Sequence, residues 1–327
     1  MSYFLGIDGG GTNTRAAIVD STGQILGWGS SGPSNYDDVG RDTAKINIAE
    51  AILRAWQRAA IAPQPFETAF FGMAGVVSPT DRHVIRAIAA ELDGVPVDQI
   101  GIDHDCRIAL AGGLIGHPGI VLISGTGSSC YGRNAAGDDW RTGGWGQLIS
   151  DEGSGYWFGL NAMRCSVRSF DGRDPPTRLL DAVLNRLRLS DVNDILHRLY
   201  VVGMSRTEIA DLAPLVFETA MQGDGVARKL IDTGVSDLAE CVYAVAMRLH
   251  LEKQPEIALT GGLHHAEVAF SRPLRQAILS RLPTAHINEP ALSPVLGACL
   301  LALQSVGTLD DRVHNTLVRG EALMSRQ

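Results

Sequence analysis

The chain has 327 residues, 45% of them hydrophobic and 20% charged, which is enough to bury more than one hydrophobic core. Its net charge of −8 disfavours a general nucleic-acid binder and a protein that binds anionic membrane surfaces. The five cysteines show no CxxC spacing, the first seven residues lack the basic region of a signal peptide, and no apolar run could span a bilayer, so we expect a cytoplasmic protein.

The first half of the chain predicts three short strands and then alternating helices and strands. The three strands are Tyr3–Ile7, Thr14–Val19 and Gln24–Trp28, joined by tight turns as in an antiparallel meander. Apolar residues at helical spacing then predict a helix over Arg41–Ala60. The remaining predicted elements are strand Ala69–Gly72, helix Asp81–Leu92, strand Val95–Ile102 and helix Asp105–Leu114.

The second half begins in the same way, with a buried strand that runs into a glycine-rich turn. Its predicted elements are strands Gly119–Ser124 and Ser129–Arg133, helices within 154–246, strand Glu256–Thr260, helix Arg272–Arg281, strand Ala285–Asn288 and the apolar helix Ser293–Ser305. The residues beyond Gly307 show little pattern and are left unassigned. The two halves thus repeat one architecture, and we expect ligands to bind in a cleft between two domains.

Three glycine-rich loops follow predicted buried strands. They are Asp8–Thr14 (DGGGTNT), Ser124–Ser128 (SGTGS) and Thr260–Leu263 (TGGL). Glycine permits positive φ and lets several backbone N–H groups approach a phosphate without a Cβ in the way. A plain hairpin turn would explain one such run, but three runs at strand ends favour phosphate binding. The Asp8 carboxylate beside the first loop suits Mg²⁺.

The sequence excludes two common phosphate-binding motifs. A P-loop requires a Gly-Lys pair, and the chain has only three lysines (Lys45, Lys229 and Lys253), none of them next to a glycine run. A Rossmann GxGxxG loop opens a helix, whereas the first two glycine runs here continue into strands.

The glycine motifs, together with Gly143–Gly146 (GGWG) and Ser150–Gly155 (SDEGSG), resemble those of the N-acetylglucosamine and glucosamine kinase group of the BadF/BadG/BcrA/BcrD ATPases. That group belongs to the sugar kinase, Hsp70 and actin superfamily. The resemblance extends from Tyr3 to about Ser305 and is most specific over Ile123–Trp157. It implies an α/β fold with two ribonuclease-H-like (actin-like ATPase) domains and mixed sheets, which close on ATP, Mg²⁺ and an amino sugar.

We therefore expect an N-terminal domain over residues 1–115 and a second domain with a helical insertion over residues 116–290. Residues 291–327 would supply a helix that returns to the first domain, followed by a tail.

The resemblance also implies roles for individual residues. Asp8 would position Mg²⁺ through water. The two phosphate loops and the adenosine side would be formed by Gly10, Gly11, Thr12 and Asn13, by Gly125, Thr126 and Gly127, and by Gly261 and Gly262. Contacts to the sugar would come from Asn35, Trp145, Gly146 and Asp151, although Asp151 could equally be an acid that stabilises a helix start.

The general base is expected to be Asp105, which would also contact the sugar. Asp105 lies four residues before Ala109, as the family pattern requires, but His104 and Cys106 depart from that pattern. Asp103 therefore stays open as an alternative, and Asp105 taken alone could be an ordinary helix N-cap.

The predicted function is the ATP-dependent phosphorylation of an amino sugar at the 6-hydroxyl, with N-acetylglucosamine placed ahead of glucosamine and N-acetylmuramate left open. The main alternative is a partner-coupled ATPase of the BadF/BcrA activator type, which needs cluster-binding cysteines that have no match here. A sugar-responsive regulator would need a DNA-reading module, and no extension precedes the first strand to hold one. A homodimer is compatible with the sequence.

Overall fold

The computed structural model describes residues 2–324, which form two compact units. Unit 1 contains the described residues up to Pro118 and those from Glu289 onward, and unit 2 is Gly119–Asn288. Unit 2 has one large hydrophobic cluster, and unit 1 has two. Each unit therefore has a core of its own.

Strands and helices alternate along much of the chain. The strands are β1 (Tyr3–Gly9), β2 (Thr14–Asp20), β3 (Ile25–Ser31), β4 (Thr68–Met73), β5 (Ile100–His104), β6 (Gly119–Ser124), β7 (Ser128–Arg133), β8 (Asp139–Gly143), β9 (Glu256–Thr260) and β10 (His286–Asn288). The helices are α1 (Tyr36–Val39), α2 (Arg41–Ala59), α3 (Pro79–Ala89), α4 (Asp105–Gly113), α5 (Gly155–Phe170), α6 (Leu179–Leu187), α7 (Asp194–Leu196), α8 (Arg206–Ala210), α9 (Ala213–Met221), α10 (Gly225–Arg248), α11 (Arg272–Arg281), α12 (Pro294–Ser305) and α13 (Asp311–Met324). Short 3₁₀ segments lie at Val97–Gln99 and Gly262–His265, and π-helical segments at His197–Gly203 and Glu267–Ser271.

Each unit contains a mixed five-stranded sheet with the same strand order. In unit 1 the order is β3-β2-β1-β4-β5, with β1 antiparallel to β2 and parallel to β4. In unit 2 the order is β8-β7-β6-β9-β10, with β6 antiparallel to β7 and parallel to β9. These two sheets confirm the predicted α/β class and the predicted repeat of architecture.

Helices cover both faces of the unit 1 sheet. Successive side chains of a strand point to opposite faces, so Leu5 and Ile7 of β1 join the cluster with α2 and α3, whereas Phe4 joins the cluster with α4 and α12. The helix α12 packs closely on α4, where a Cβ on Gly297 would overlap the carbonyl oxygen of Ile108. A helix from near the end of the chain thus completes the core of unit 1.

Replacing Gly297 with alanine is expected to lower the free energy of unfolding by about 1–3 kcal/mol, because the added methyl group forces α12 away from α4. Gly225, the first residue of α10, is the matched control, since a Cβ there meets nothing within 4 Å. We expect Gly225→Ala to be neutral or to stabilise by up to about 1 kcal/mol. Urea denaturation of both variants measures the difference, and equal effects would contradict close packing of α12 on α4.

Three local expectations need correction. The predicted strand Val95–Ile102 is wrong at both ends. At its start, the Gln99 N–H donates to the Pro96 carbonyl (2.9 Å) and forms a 3₁₀ turn. At its end, β5 continues to His104. The strand β8 was not predicted. The unassigned residues beyond Gly307 include the helix α13.

In the part of the chain that is described, no helix combines the length and the apolar character needed to cross a bilayer.

Candidate active site

The first glycine loop is the hairpin between β1 and β2. The Gly10 N–H donates to the Asn13 carbonyl (2.9 Å), and the Gly10 carbonyl accepts from the Ser34 N–H (3.0 Å). A Cβ on Gly9 would lie 2.6 Å from the Ser34 Oγ and would also overlap the Met73 Cε, so these two side chains pack closely on the loop. Residues 11–13 form the exposed tip of the hairpin. The predicted phosphate-binding residues are therefore accessible on an anchored turn.

Asp8 lies just before this loop and carries a perturbed carboxylate. Burial raises the pKa of Asp8 to about 6; the Arg15 guanidinium opposes the rise and the negative charge of Asp105 adds to it. The Arg15 Nη1 is 3.9 Å from the Asp8 Oδ2, and the Arg15 side chain is 55% exposed. The Arg15 charge therefore offsets only part of the rise in the pKa of Asp8. The Asp8 and Asp105 carboxylates thus interact electrostatically, and their negative charge and oxygen atoms suit a hard cation such as Mg²⁺.

The raised pKa of Asp8 predicts a stability difference that depends on pH. The pKa of Asp8 rises from its ordinary value of 3.8 to about 6, so between these pH values the folded chain binds a proton that the unfolded chain does not. The folded chain therefore loses stability as the pH rises through this range. We expect Asp8→Asn to match the wild type near pH 4 and to be more stable by up to about 3 kcal/mol near pH 7. Urea denaturation in Mg²⁺-free buffer measures this, and a difference that does not vary with pH would refute the expectation.

The two candidates for the general base, Asp103 and Asp105, have different surroundings. Asp103 accepts from the Arg82 Nη2 (2.8 Å) and from the His104 N–H (3.0 Å), so it is engaged in an ion pair. Asp105 is the first residue of α4, and the N-cap is His104, whose Nδ1 accepts from the Arg107 N–H (3.2 Å). The N-cap interpretation of Asp105 is therefore wrong. Its Oδ1 accepts a hydrogen bond from the Cys106 thiol (3.4 Å).

Asn35 lies beside the first glycine loop, where its backbone N–H donates to the Gly10 carbonyl (3.3 Å). Its side chain caps α1: the Oδ1 accepts from the Asp37 N–H (3.4 Å) and the Nδ2 donates to the Asp38 Oδ2 (2.7 Å). Asn35, which is predicted to contact the sugar, therefore also stabilises the start of α1.

The second glycine loop, in unit 2, is held by the first turn of α5. The Gly125 carbonyl accepts from the Gly155 N–H (2.8 Å), and the Thr126 carbonyl accepts from the Tyr156 N–H (3.1 Å). The third loop packs on the same strand end, because Gly261 has φ of +110° and a Cβ there would overlap the backbone of Ser124. The structure therefore brings the second and third glycine loops together at the end of β6.

Asp151 is almost buried behind the second loop, with 2% of its surface exposed and a positive φ of 67°. Its Oδ2 accepts from the Arg206 Nη2 (2.6 Å). A Cβ on Gly127 would lie 3.0 Å from that oxygen and would overlap the Arg206 guanidinium. Asp151 thus offers only an edge of its carboxylate to a ligand, and Arg206 is a residue of this region that the sequence analysis missed.

Trp145 and Gly146 lie on an exposed loop after β8. The Trp145 side chain is 65% exposed, and the Arg141 guanidinium carbon lies 5.3 Å from the centre of its ring. Gly146 has φ of +84° and its carbonyl accepts from the Ser150 N–H (2.8 Å). An exposed indole face of this kind can pack against the apolar face of a sugar ring.

Comparison with known proteins gives a consistent result. A model of the BadF/BadG/BcrA/BcrD ATPase family matches residues 5–302. The N-acetyl-D-glucosamine kinase of Dictyostelium discoideum is 34% identical over 313 residues, covering 92% of this chain and 98% of that protein. The N-acetylmuramic acid/N-acetylglucosamine kinase of Clostridium acetobutylicum is 33% identical, covering 80% and 85%. The crystal structure of a candidate N-acetylglucosamine kinase from Chromobacterium violaceum is similar with a TM-score of 0.76 and 27% identity, over 93% of this chain and 99% of that one.

Proposed function

We propose, because this chain belongs to the BadF/BadG/BcrA/BcrD ATPase family, that it transfers the γ-phosphate of ATP to the 6-hydroxyl of an amino sugar, with N-acetylglucosamine as the first candidate substrate. The family match bears out the resemblance that the glycine motifs indicated. The observation that carries the proposal is the likeness to two amino-sugar kinases along most of the chain. Both of those kinases have N-acetylglucosamine in their names, which is why this sugar comes first.

The described residues would supply the groups that phosphoryl transfer requires. The reaction needs the acceptor hydroxyl in line with the γ-phosphate, stabilisation of the phosphate charge and a group that takes the proton. In unit 1, the N–H groups of Gly11, Thr12 and Asn13 would bind phosphate oxygens, since the Gly10 N–H donates to the Asn13 carbonyl. In unit 2, the Gly125–Gly127 turn would do the same, and Gly261 and Gly262 would contact the adenosine.

Asp105 would accept the proton of the 6-hydroxyl. Its place at the N-terminus of α4 supports this role, because the helix dipole stabilises its anion. Asp103 is the weaker candidate, since its carboxylate is already paired with Arg82. Asp8 would hold Mg²⁺, which when bound supplies charge neutralisation at the phosphates. Asn35, Trp145, Gly146 and Asp151 would contact the sugar.

A coupled assay of ADP release tests the proposed function. The purified chain is supplied with ATP and Mg²⁺ and with N-acetylglucosamine, glucosamine, N-acetylmuramate or glucose in turn. We expect ADP release to depend on the sugar and kcat/KM to be highest for N-acetylglucosamine, with ³¹P–¹H NMR placing the new phosphate on C6. ATP turnover that does not depend on any sugar would instead support the partner-coupled ATPase, which the amino-sugar kinase relatives do not favour.

A further inference from the structure

The ion pair between Arg206 and Asp151 joins the helix α8 to the segment behind the second glycine loop. The Nη2–Oδ2 distance is 2.6 Å, and only 3% of the Asp151 side chain is exposed, against 36% for Arg206. The Arg206 Nε is itself buried and has no hydrogen-bond partner among the described residues. Burial of the Asp151 carboxylate costs desolvation free energy, and the Arg206 charge offsets part of that cost.

Arg206 is held in place by the packing of its own short helix. A Cβ on Gly159 of α5 would overlap the carbonyl oxygen of Ile209, so α8 lies directly against α5. Ser205, one residue before Arg206, and Glu208, two residues after it, form a capping box. This capping box fixes the start of α8. Because the first turn of α5 also holds the second glycine loop, Arg206 and Gly127 are positioned by the same helix.

We propose that Arg206 is a positioning residue of the sugar site, which holds the Asp151 carboxylate in a fixed orientation against Gly127. This inference rests on the proposed function, in which Asp151 accepts a hydrogen bond from a sugar hydroxyl. A carboxylate has about four acceptor positions. Arg206 and the Ser128 backbone N–H take up part of this capacity and leave the rest for a ligand.

The charges around Asp151 make this role measurable by its dependence on pH. Burial raises the pKa of Asp151; the Arg206 guanidinium and the Ser128 N–H lower it, and the neighbouring Glu152 raises it again. Arg206 is thus a cation that keeps the pKa of this carboxylate lower than burial alone would make it. Without Arg206, Asp151 would protonate at a higher pH and would stop accepting a hydrogen bond from the sugar there.

The test compares Arg206→Met, Arg206→Lys and the wild type, with KM for the sugar, KM for ATP and kcat measured from about pH 6 to about pH 8.5. We expect Arg206→Met to raise the sugar KM by at least about tenfold near pH 6, because a hydrogen-bonded charge is lost. The ratio of this sugar KM to that of the wild type should fall toward pH 8.5, and the KM for ATP should stay within about twofold of the wild type. The sugar KM of Arg206→Lys should lie between those of Arg206→Met and the wild type.

Arg198→Met is the matched control. Arg198 makes an ion pair of the same length (2.6 Å) with Glu208 of α8, but the Glu208 side chain is 49% exposed, against 3% for Asp151. We expect this variant to keep the wild-type sugar KM at every pH.

A double-mutant cycle with Asp151→Asn separates positioning from general stabilisation. If Arg206 acts through Asp151, Arg206→Met should add less than about twofold to the sugar KM in the Asp151→Asn background. If the two substitutions instead raise the sugar KM by independent factors that multiply in the double variant, the proposal is overturned. A change in the KM for ATP alone also overturns it. Loss of cooperative unfolding in both Arg206 variants also overturns it, since the role is then structural. A wild-type chain that phosphorylates no sugar instead refutes the proposed function.

Discussion

Replacing Asp105 with asparagine is expected to lower kcat by about 10²–10⁴-fold, the range that a general base contributes. The amide keeps the size of the side chain but cannot accept the proton of the 6-hydroxyl. Because His104 caps α4, the substitution leaves the helix cap intact. ATP affinity should change by less than about twofold, which isothermal titration calorimetry checks alongside the kinetic assay.

Asp103→Asn is the matched control, two residues earlier on β5. It removes the ion pair with Arg82, whose side chain is 44% exposed, so a stability loss of less than about 1 kcal/mol is expected. Turnover should stay within a few-fold of the wild type. If Asp103→Asn abolishes turnover and Asp105→Asn does not, the assignment of the base is wrong.

Replacing Gly261 with alanine is expected to lower the free energy of unfolding by about 2–6 kcal/mol and to weaken ATP binding severely. Gly261 has φ of 110° and ψ of 160°, a conformation available essentially only to glycine, and forcing another residue into it costs about 1–3 kcal/mol. The methyl group would also overlap the Ser124 backbone, and overpacking of this kind costs about 1–3 kcal/mol more. Urea denaturation and nucleotide titration measure the two effects.

Gly262 provides the matched control for stability. A Cβ on Gly262 meets nothing within 4 Å, and its backbone does not have positive φ. Gly262→Ala should therefore unfold at the same urea concentration as the wild type. Similar stability losses in both variants would mean that the close approach of Gly261 to Ser124 is not what constrains this loop.

The parts of the fold that follow from local sequence could be predicted. Buried strands that end in glycine runs identified β1 and β6 and, through them, the repeat of one sheet order in both units. By contrast, β8 (Asp139–Gly143) has no buried residue, so it carries no alternating pattern and becomes a strand only through its pairing with β7. The helix α13 buries little beyond Val313 and Leu317, too few positions to mark a helix within a polar segment.

The candidate site was predictable where a motif occupies consecutive residues, as in the three glycine loops. Contacts made by tertiary packing were not. Arg206 lies 55 residues beyond Asp151, and its sequence neighbours indicate only a capped helix, so nothing local points to the ion pair. Aspartate is a common N-cap residue, which is why the sequence allows Asp105 as an alternative cap of α4. Only the positions of the side chains show that His104 has this role.

The division of unit 1 along the sequence has a consequence for synthesis in the cell. Its sheet is made of residues from the first third of the chain, but α12, which covers Phe4 and Val19 on one face, is translated only after the whole of unit 2. A nascent chain therefore leaves the ribosome with this apolar sheet face covered only by α4 until α12 follows. Surfaces of this kind are what chaperones bind, so we expect newly made protein to need protection until translation has passed Ser305.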